Sequence, residues 1–196
     1  MEREEMLAKL KKKLPEKRYE HSIGVAYTAA TMAFMHGVDY NKAYLAGLLH
    51  DCAKYVPNDK KIRKLEKRQI LITDCEYKNP DLLHAKLSAV YAKEKYGVKD
   101  ADILYSIAYH TTGRPAMSSL EKIIYIADYI EPNRAILPEM DVIRKEAYTD
   151  LDLCLLHILY NSVHYLNKKG AVIDSITEKT YEYYYELRGA DFTPTE

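Results

Sequence analysis

The 196-residue sequence contains no tryptophan, only two phenylalanines, and three cysteines at positions 52, 75 and 154. It also has no apolar run close to the roughly 18 residues that a membrane-spanning helix requires. So few cysteines exclude a small fold held together by disulfide bonds. Because the first residues are charged rather than apolar, no signal peptide is expected. We therefore expect a cytoplasmic protein that does not cross a membrane.

Net charge is absent as well, since 29 lysines and arginines balance 29 aspartates and glutamates. Proteins that bind nucleic acid polymers over a broad surface usually carry a basic excess, so such a partner is not expected, although a local basic pocket is compatible with this balance. Hydrophobic residues make up 47% of the chain, which argues against intrinsic disorder. Nothing in the sequence indicates an oligomeric state.

Helical periodicity runs through almost the whole chain, and no pair of alternating strands joined by a tight turn occurs. We therefore predict an all-α fold in one domain, 1–196, with the motifs in about 17–135 and a flexible tail at 190–196. The segment 68–79 is less regular and includes a possible extended stretch at 70–72. The predicted helices cover about 2–13, 17–35, 40–53, 58–67, 81–96, 99–110, 119–131, 138–148, 150–168 and 175–188.

The dipeptide His50-Asp51 lies at the end of the helix predicted to be most buried. Neighbouring residues on a helix point about 100° apart, so the two side chains reach one ion only near a helix end. A histidine and a carboxylate buried there cost free energy unless they are paired or bind a metal. The alternative is a core histidine that is hydrogen-bonded to a surface aspartate.

Four more such residues lie in other predicted helices: His21, His84, His110 and Asp128. Each alone is adequately explained as a buried polar residue with a partner. Helical bundles, however, build metal sites by projecting ligands inward from several helices. Taken with His50-Asp51, the four residues indicate a metal site.

The chain resembles the HD-domain metal-dependent phosphohydrolases, and within them the YqeK-type symmetrical diadenosine tetraphosphate hydrolases of bacteria. The resemblance spans about 5–188, and no metal-ligand position departs from the family's pattern. Three segments carry it, namely 18–22 (RYEHS), 48–54 (LLHDCAK) and 109–134 (YHTTGRPAMSSLEKIIYIADYIEPNR).

The resemblance implies a two-metal site, often iron, with manganese or another divalent ion as an alternative. Asp51 would bridge the two ions, which together would hold the hydroxide that attacks phosphorus. Cleavage in the middle of the tetraphosphate would yield two molecules of ADP. The implied ligands are His21, His50, Asp51, His84, His110 and Asp128.

Phosphate binding calls for positive charge beyond that of the metals. Lys54 and Arg114 are predicted to assist catalysis, with Arg114 on a loop that overhangs the metals. Arg18, Thr111, Thr112, Arg114 and Arg134 are predicted to bind the substrate. The alternatives are a solvated surface cation for each charged residue and a purely structural role for the two threonines.

Several other residues have two interpretations. Glu121 or Glu131 could orient a histidine ligand, although a capping box with Ser118 explains Glu121 more simply. His157 and His164 share one face of a late helix and are interpreted as packing residues. Cys52 is likewise interpreted as a small packing residue.

Two other functions remain open at this point. The first is a nucleotidase or phosphodiesterase of the same superfamily that acts on a simpler nucleotide. The second is a nucleotide-binding regulator whose metal is structural. Ligand spacing does not separate them, because metals recognise phosphate rather than the base.

Overall fold

The computed structural model describes residues 1–137 and 139–193, and every regular element in them is an α-helix or a short 3-10 turn. The predicted all-α fold is therefore confirmed. No helix in the described ranges is both long and apolar enough to cross a membrane. The α-helices are α1 (Arg3–Lys13), α2 (Glu16–Met35), α3 (Tyr40–Leu49), α4 (Asn58–Glu66), α5 (Asp74–Lys78), α6 (Leu83–Tyr96), α7 (Ala101–Ala108), α8 (Ser119–Ile130), α9 (Met140–Glu146), α10 (Leu151–Lys168) and α11 (Ser175–Arg188).

Helices α3 and α7 end earlier than their apolar periodicity predicts. Helix α3 stops at Leu49, where the predicted helix extends to 53, and α7 stops at Ala108, where the predicted helix extends to 110. In each case a histidine just past the end bonds back to a carbonyl three residues earlier, His50 to Gly47 and His110 to Ile107. A side chain that hydrogen-bonds to a helix carbonyl competes with the backbone N–H that would continue the helix.

The irregular segment 68–79 includes the possible extended stretch at 70–72, where the structure has no regular element. The short helix α5 follows it. The Thr73 hydroxyl accepts from the Glu76 N–H, and the Glu76 carboxylate accepts from the Thr73 N–H. This capping box begins the helix.

Helices α10 and α11 agree with their predicted bounds to within one residue, whereas α9 and the tail were predicted less closely. Helix α9 begins at Met140, while residue 138, the predicted start, lies outside the described residues. In the predicted tail at 190–196, Gly189–Asp191 forms a 3-10 turn, and 194–196 lie outside the described residues.

Small residues let α2 and α3 pack closely, and both helices contact α8. Helix α2 buries Ala26, Ala29, Ala30 and Ala33. On α3, a Cβ built at Gly47 would lie 2.9 Å from the Cα of Ala26. Because backbone atoms set this approach, it fixes where the ends of the two helices lie relative to each other.

The loop between α7 and α8 is held by α11. Tyr184 is almost fully buried, and its hydroxyl accepts a hydrogen bond from the Met117 N–H at 3.0 Å. Gly113 adopts a positive φ of 66°, and a Cβ there would lie 2.8 Å from the Thr180 side chain. At the far end, Ser118 and Glu121 form the predicted capping box of α8. The loop therefore has a defined conformation close to the start of α8.

Substitution of Gly47 by alanine should destabilise the protein. Alanine favours a helix by about 1 kcal/mol over glycine. Its Cβ would, however, meet the α2 backbone, and overpacking of this kind costs about 1–3 kcal/mol. Urea unfolding followed by circular dichroism should therefore show a lower midpoint for Gly47→Ala.

Gly189→Ala is the matched control, because a Cβ at Gly189 would lie 3.4 Å from the Tyr185 ring, at ordinary contact distance. Its free energy of unfolding should change by less than about 0.5 kcal/mol. Equal midpoints for both variants and the parent protein would show that the α2–α3 approach is not tight.

Candidate metal centre

The six residues predicted as metal ligands lie together, although they come from five helices or helix ends. Four imidazoles form a row, with ring centroids 5.2 Å apart for His21 and His50, 4.9 Å for His50 and His110, and 5.1 Å for His110 and His84. All four rings are buried. His21 lies in α2, His50 and Asp51 follow α3, His84 begins α6, His110 follows α7, and Asp128 lies near the end of α8.

Asp51 lies between two groups of ligand atoms. Its Oδ1 is 3.2 Å from His84 Nε2 and 3.8 Å from His110 Nε2, while its Oδ2 is 3.4 Å from His50 Nε2. Its two oxygens therefore face different histidines. Three combinations have ligand atoms that all lie within 4.8 Å of one another: His21–His50–Asp51, His50–His110–Asp128 and Asp51–His84–His110.

The rings are oriented by hydrogen bonds on their outer side. The Nδ1 atoms of His50 and His110 lie 2.7 Å from the carbonyl oxygens of Gly47 and Ile107, and that of His84 faces the Asp81 carbonyl. A carbonyl oxygen only accepts, so Nδ1 must carry the hydrogen in each ring. The Nε2 lone pair of each ring then faces the cluster, as in metal-binding histidines.

Three buried ligand atoms have no hydrogen-bond partner among the described residues: His21 Nε2, His50 Nε2 and Asp51 Oδ1. His21 Nε2 lies only 2.9 Å from Asp128 Oδ1, yet the pair is not aligned as a hydrogen bond. Unpaired polar atoms in a protein interior cost free energy. A cation held among them would satisfy all three, so the residues present fit a divalent metal.

The ionisation of the cluster also suits a metal. Burial lowers the pKa of His110 to about 3, so this imidazole is neutral. Burial would raise the pKa of Asp51, but His50 and His84 hold it well below its usual value. Burial would also raise the pKa of Asp128, but His21, His50 and Arg134 together lower that pKa by more. Neutral imidazoles and ionised carboxylates are the forms that bind metals, which describes His110 and the two aspartates. At His50, burial lowers the pKa, but the neighbouring Asp51 and Asp128 carboxylates outweigh it and raise that pKa.

Sulfur takes no part in the cluster. Burial raises the pKa of Cys52 to about 12, and its thiol faces the Ser88 carbonyl at 3.5 Å. Only the thiolate binds metals, so the interpretation of Cys52 as a packing residue agrees with the structure. Nitrogen and oxygen donors suit borderline divalent ions such as iron and manganese.

Three of the predicted substrate-binding and catalytic cations lie at the cluster. Arg18 Nη1 donates to Asp51 Oδ2 at 2.8 Å, and Arg134 Nη2 donates to Asp128 Oδ1 at 2.7 Å. Lys54 Nζ lies 3.2 Å from His84 Nδ1. Each guanidinium keeps N–H groups that these bonds do not use.

The predicted loop residues are placed differently from one another. Thr111 Oγ1 lies 3.4 Å from His84 Nε2, at the cluster, whereas the Thr112 hydroxyl bonds to the Gly113 carbonyl within the loop. Arg114 makes a two-pronged ion pair with Glu121, at 2.7 Å on both sides. Glu121 is buried, so the Arg114 guanidinium is held at the start of α8.

A cleft of about 640 Å³ opens beside the His21 end of the row. Two arginines line it. Arg18 precedes His21 in the sequence, and Arg134 follows Asp128. The rest of its lining is mainly charged or polar and consists of Pro15, Lys17, Glu20, Glu131, Asn133 and Ala135. Such a cleft suits a polyphosphate chain.

The sequence profile of the HD domain matches residues 18–133. The chain belongs to the HD domain family. The Bacillus subtilis protein named "Bis(5'-nucleosyl)-tetraphosphatase, symmetrical" is 44% identical to this HD-domain protein, over 93% of this chain and 97% of its own. A Staphylococcus aureus protein of the same name is 40% identical, over 89% of this chain and 90% of its own.

A solved structure is also closely similar to this HD-domain protein. It is the crystal structure of a "predicted HD superfamily hydrolase involved in NAD metabolism" from Clostridium acetobutylicum. It has a TM-score of 0.92 and 40% sequence identity, and the match covers 95% of this chain and 98% of that one. Together with the two relatives, it confirms the resemblance derived from the sequence.

Glu131 helps to build the metal site, although it is not among the predicted site residues. It is buried, and its Oε1 accepts from His21 Nδ1 at 3.0 Å, which fixes that ring. Its other oxygen accepts from the Asn133 N–H. Gly24, one turn after His21, leaves room for this carboxylate, since a Cβ there would overlap it. Of the two glutamates considered from the sequence, Glu131 orients a histidine and Glu121 caps α8.

His157 also has a different environment from the one expected. It is buried, but its ring contacts two carboxylates, Glu146 at 2.9 Å and Glu139 at 3.2 Å. Its interpretation as a simple packing residue was therefore incomplete. His164 is exposed and bonds to the carbonyl of Tyr160. Neither histidine lies in the metal-binding cluster of this HD-domain protein.

Substitution of Glu131 by alanine should weaken metal binding by about 10- to 100-fold, because His21 would lose the bond that orients its ring. The affinity is measured by competition with a chelator of known affinity, and helix content by circular dichroism. Glu20→Ala is the control, since Glu20 lines the same cleft but is exposed. Equal metal affinity in the two variants would contradict the orienting role of Glu131.

Proposed function

We propose that this protein is a metal-dependent hydrolase that cleaves diadenosine tetraphosphate symmetrically into two molecules of ADP. The observation that carries the proposal is the buried cluster of four imidazoles and two carboxylates with unsatisfied atoms facing inward. The substrate is proposed from the near full-length relatives, which are named symmetrical bis(5'-nucleosyl)-tetraphosphatases. Residues 1–196 are proposed to act as one domain.

The cluster is proposed to hold two divalent ions that share Asp51, with iron as the first candidate and manganese as the second. Asp51 presents one oxygen toward His84 and the other toward His50, so a shared carboxylate is consistent with its position. The other ligands of the two ions would be His21, His50 and Asp128 at one end, and His84 and His110 at the other. The donor set of nitrogen and oxygen supports these ions over a thiolate zinc site.

Bound divalent ions would lower the pKa of water and withdraw charge from the phosphoryl group. The chain itself would supply the remaining charge compensation. Arg18 and Arg134 lie at the two carboxylates, and their spare N–H groups are suited to phosphate oxygens. Lys54 pairs with the Asp81 carboxylate beside His84 and would add a third cation on the other side. Thr111 could donate its hydroxyl hydrogen to a phosphate oxygen.

Arg114 is the predicted catalytic residue with the least support from its contacts. Its Nε and Nη2 are occupied by Glu121, and its guanidinium lies 5.6 Å from the centre of the Tyr109 ring. In this position it ties the loop that carries Thr111 and Thr112 to α8. We propose that Arg114 contributes through this loop, and that Thr112 shapes it.

Product analysis tests the proposed reaction. The metal-loaded protein should convert diadenosine tetraphosphate into ADP alone, as measured by anion-exchange chromatography of a single time course. Removal of the metal with a chelator should abolish turnover, and addition of iron or manganese should restore it. ATP plus AMP as products, or hydrolysis only of simpler nucleotides, would contradict symmetrical cleavage of the dinucleotide.

Substitution of Asp51 by alanine should remove both metal and activity, since each proposed ion would lose a ligand. We expect metal content close to zero and a fall in turnover of about a thousandfold or more. Helix content should be retained, because Asp51 lies outside the regular helices. Metal is measured by mass spectrometry after desalting.

Asp59→Ala serves as the control for this variant, because Asp59 is an exposed aspartate of α4 that pairs with Arg63 on the same helix. It should keep the metal and the activity of the parent protein. Retained turnover in Asp51→Ala would rule out the shared role of this carboxylate. A protein that binds metal but hydrolyses no nucleotide would instead be a regulator with a structural metal.

A further inference from the structure

A second cleft begins on the opposite side of the metal cluster, next to His84. Thr111 lines it and places its hydroxyl 3.4 Å from His84 Nε2, so Thr111 separates the cleft from the cluster by a single residue. Tyr125, one turn before Asp128 on α8, lines it as well. Its volume of about 330 Å³ is within the range of roughly 300–1,000 Å³ typical of small-molecule sites.

The first cleft is lined by several cationic side chains, and the second, in the ranges that the structure describes, is not. Lys17, Arg18 and Arg134 line the first cleft, whereas no lysine or arginine is among the described residues that line the second. Asp174 lines the second cleft, and its oxygens already accept hydrogen bonds from the Ile176 N–H and, more weakly, from Thr73. A phosphate would therefore be poorly accommodated here, and a neutral group would fit.

The walls of the second cleft present apolar surface that is left uncovered. Tyr165 of α10 and Val172 of the following segment line the cleft and are 56% and 65% exposed. Leu82, just before α6, lines it from another element. A flat aromatic base could stack on Tyr165, and an apolar ligand face would cover Val172.

Polar groups also face this cleft. The side chains of Asn79, Ser162 and Thr177 line it and form no hydrogen bond within the described part of the chain. Thr177 is the buried residue among these three. Apolar walls combined with a few unpaired polar groups are the usual composition of a site for a neutral heterocyclic ligand.

We infer that the second cleft is the subsite for one nucleoside of the substrate. This inference rests on the proposed function, because it places the phosphate chain of the same dinucleotide at the cluster. The nucleoside would lie against Tyr165 and Val172, with its polar edge toward Ser162 and Thr177. The phosphates would pass Thr111 to reach the cluster, and the chain beyond the cut would continue into the cleft lined by Arg18 and Arg134.

The test separates binding of the nucleoside from binding of phosphate. ADP and inorganic pyrophosphate are titrated into the metal-loaded protein by calorimetry, since pyrophosphate carries the same kind of phosphate group without a nucleoside. In Tyr165→Ala and Val172→Asp the dissociation constant for ADP should rise about tenfold, as expected for loss of stacking on an aromatic side chain. That for pyrophosphate should change by less than about twofold.

The same variants should raise the KM for diadenosine tetraphosphate by a similar factor and leave kcat close to that of the parent protein. This split is expected when an interaction is equally strong in the ground state and the transition state. Thr177→Val, which removes only the hydroxyl, should shift the ADP dissociation constant in the same direction by a smaller factor.

Two controls match these substitutions. Tyr27→Ala removes a tyrosine of similar exposure, 53%, from α2, and Val142→Asp makes the same change as Val172→Asp on α9. Neither residue lines the two clefts. Both controls should bind ADP and pyrophosphate as the parent protein does.

The outcomes distinguish this inference from the proposed function. Unchanged ADP binding in Tyr165→Ala and Val172→Asp, in a protein that does hydrolyse diadenosine tetraphosphate, would overturn the subsite and leave the function standing. Equal weakening of ADP binding and pyrophosphate binding would also overturn it, since the substitutions would then affect binding of the phosphates rather than of the nucleoside. Selective loss of ADP affinity in a protein that does not cleave the dinucleotide would support the subsite while refuting the proposed reaction.

Discussion

The site depends on one repeated interaction, the hydrogen bond from an imidazole Nδ1 to an oxygen outside the cluster. Three of the four acceptors are backbone carbonyls at or near a helix end, and the fourth is the buried carboxylate of Glu131. Each bond fixes the tautomer and aims Nε2 inward. Because His50 and His110 use carbonyls of the helix they follow, the ends of α3 and α7 are part of the site.

The clustered ligands would be unfavourable in a protein interior without a cation. His21 Nε2 and Asp128 Oδ1 lie 2.9 Å apart with no hydrogen bond between them, and Asp51 Oδ1 is buried without a partner. Arg18 and Arg134 compensate part of the carboxylate charge from the edge. Positive charge is therefore concentrated at one place, which explains how a chain of zero net charge can serve a highly anionic ligand.

Residues beyond the ligands were harder to predict, because their roles depend on partners distant in the sequence. Arg114 follows His110 closely, which suggested a position over the metals, yet a buried glutamate seven residues later holds its guanidinium. His157 had no carboxylate nearby on its own helix, and the two that contact it come from Glu139, just before α9, and Glu146 at the end of α9. Helical periodicity reports which face of a helix is buried, but it carries no information on what packs against that face.

The sequence by itself determined the all-α class, most helices to within one or two residues, the family and the six candidate ligands. Each of these depends on local periodicity or on short motifs, which are properties of neighbouring residues. Only the tertiary structure decided the position of Asp51 between two ligand groups, the orientation of His21 by Glu131, and the two clefts of different charge. These features arise where α2, α3, α6, α7 and α8 meet, and close packing between helices fixes distances that sequence spacing does not contain.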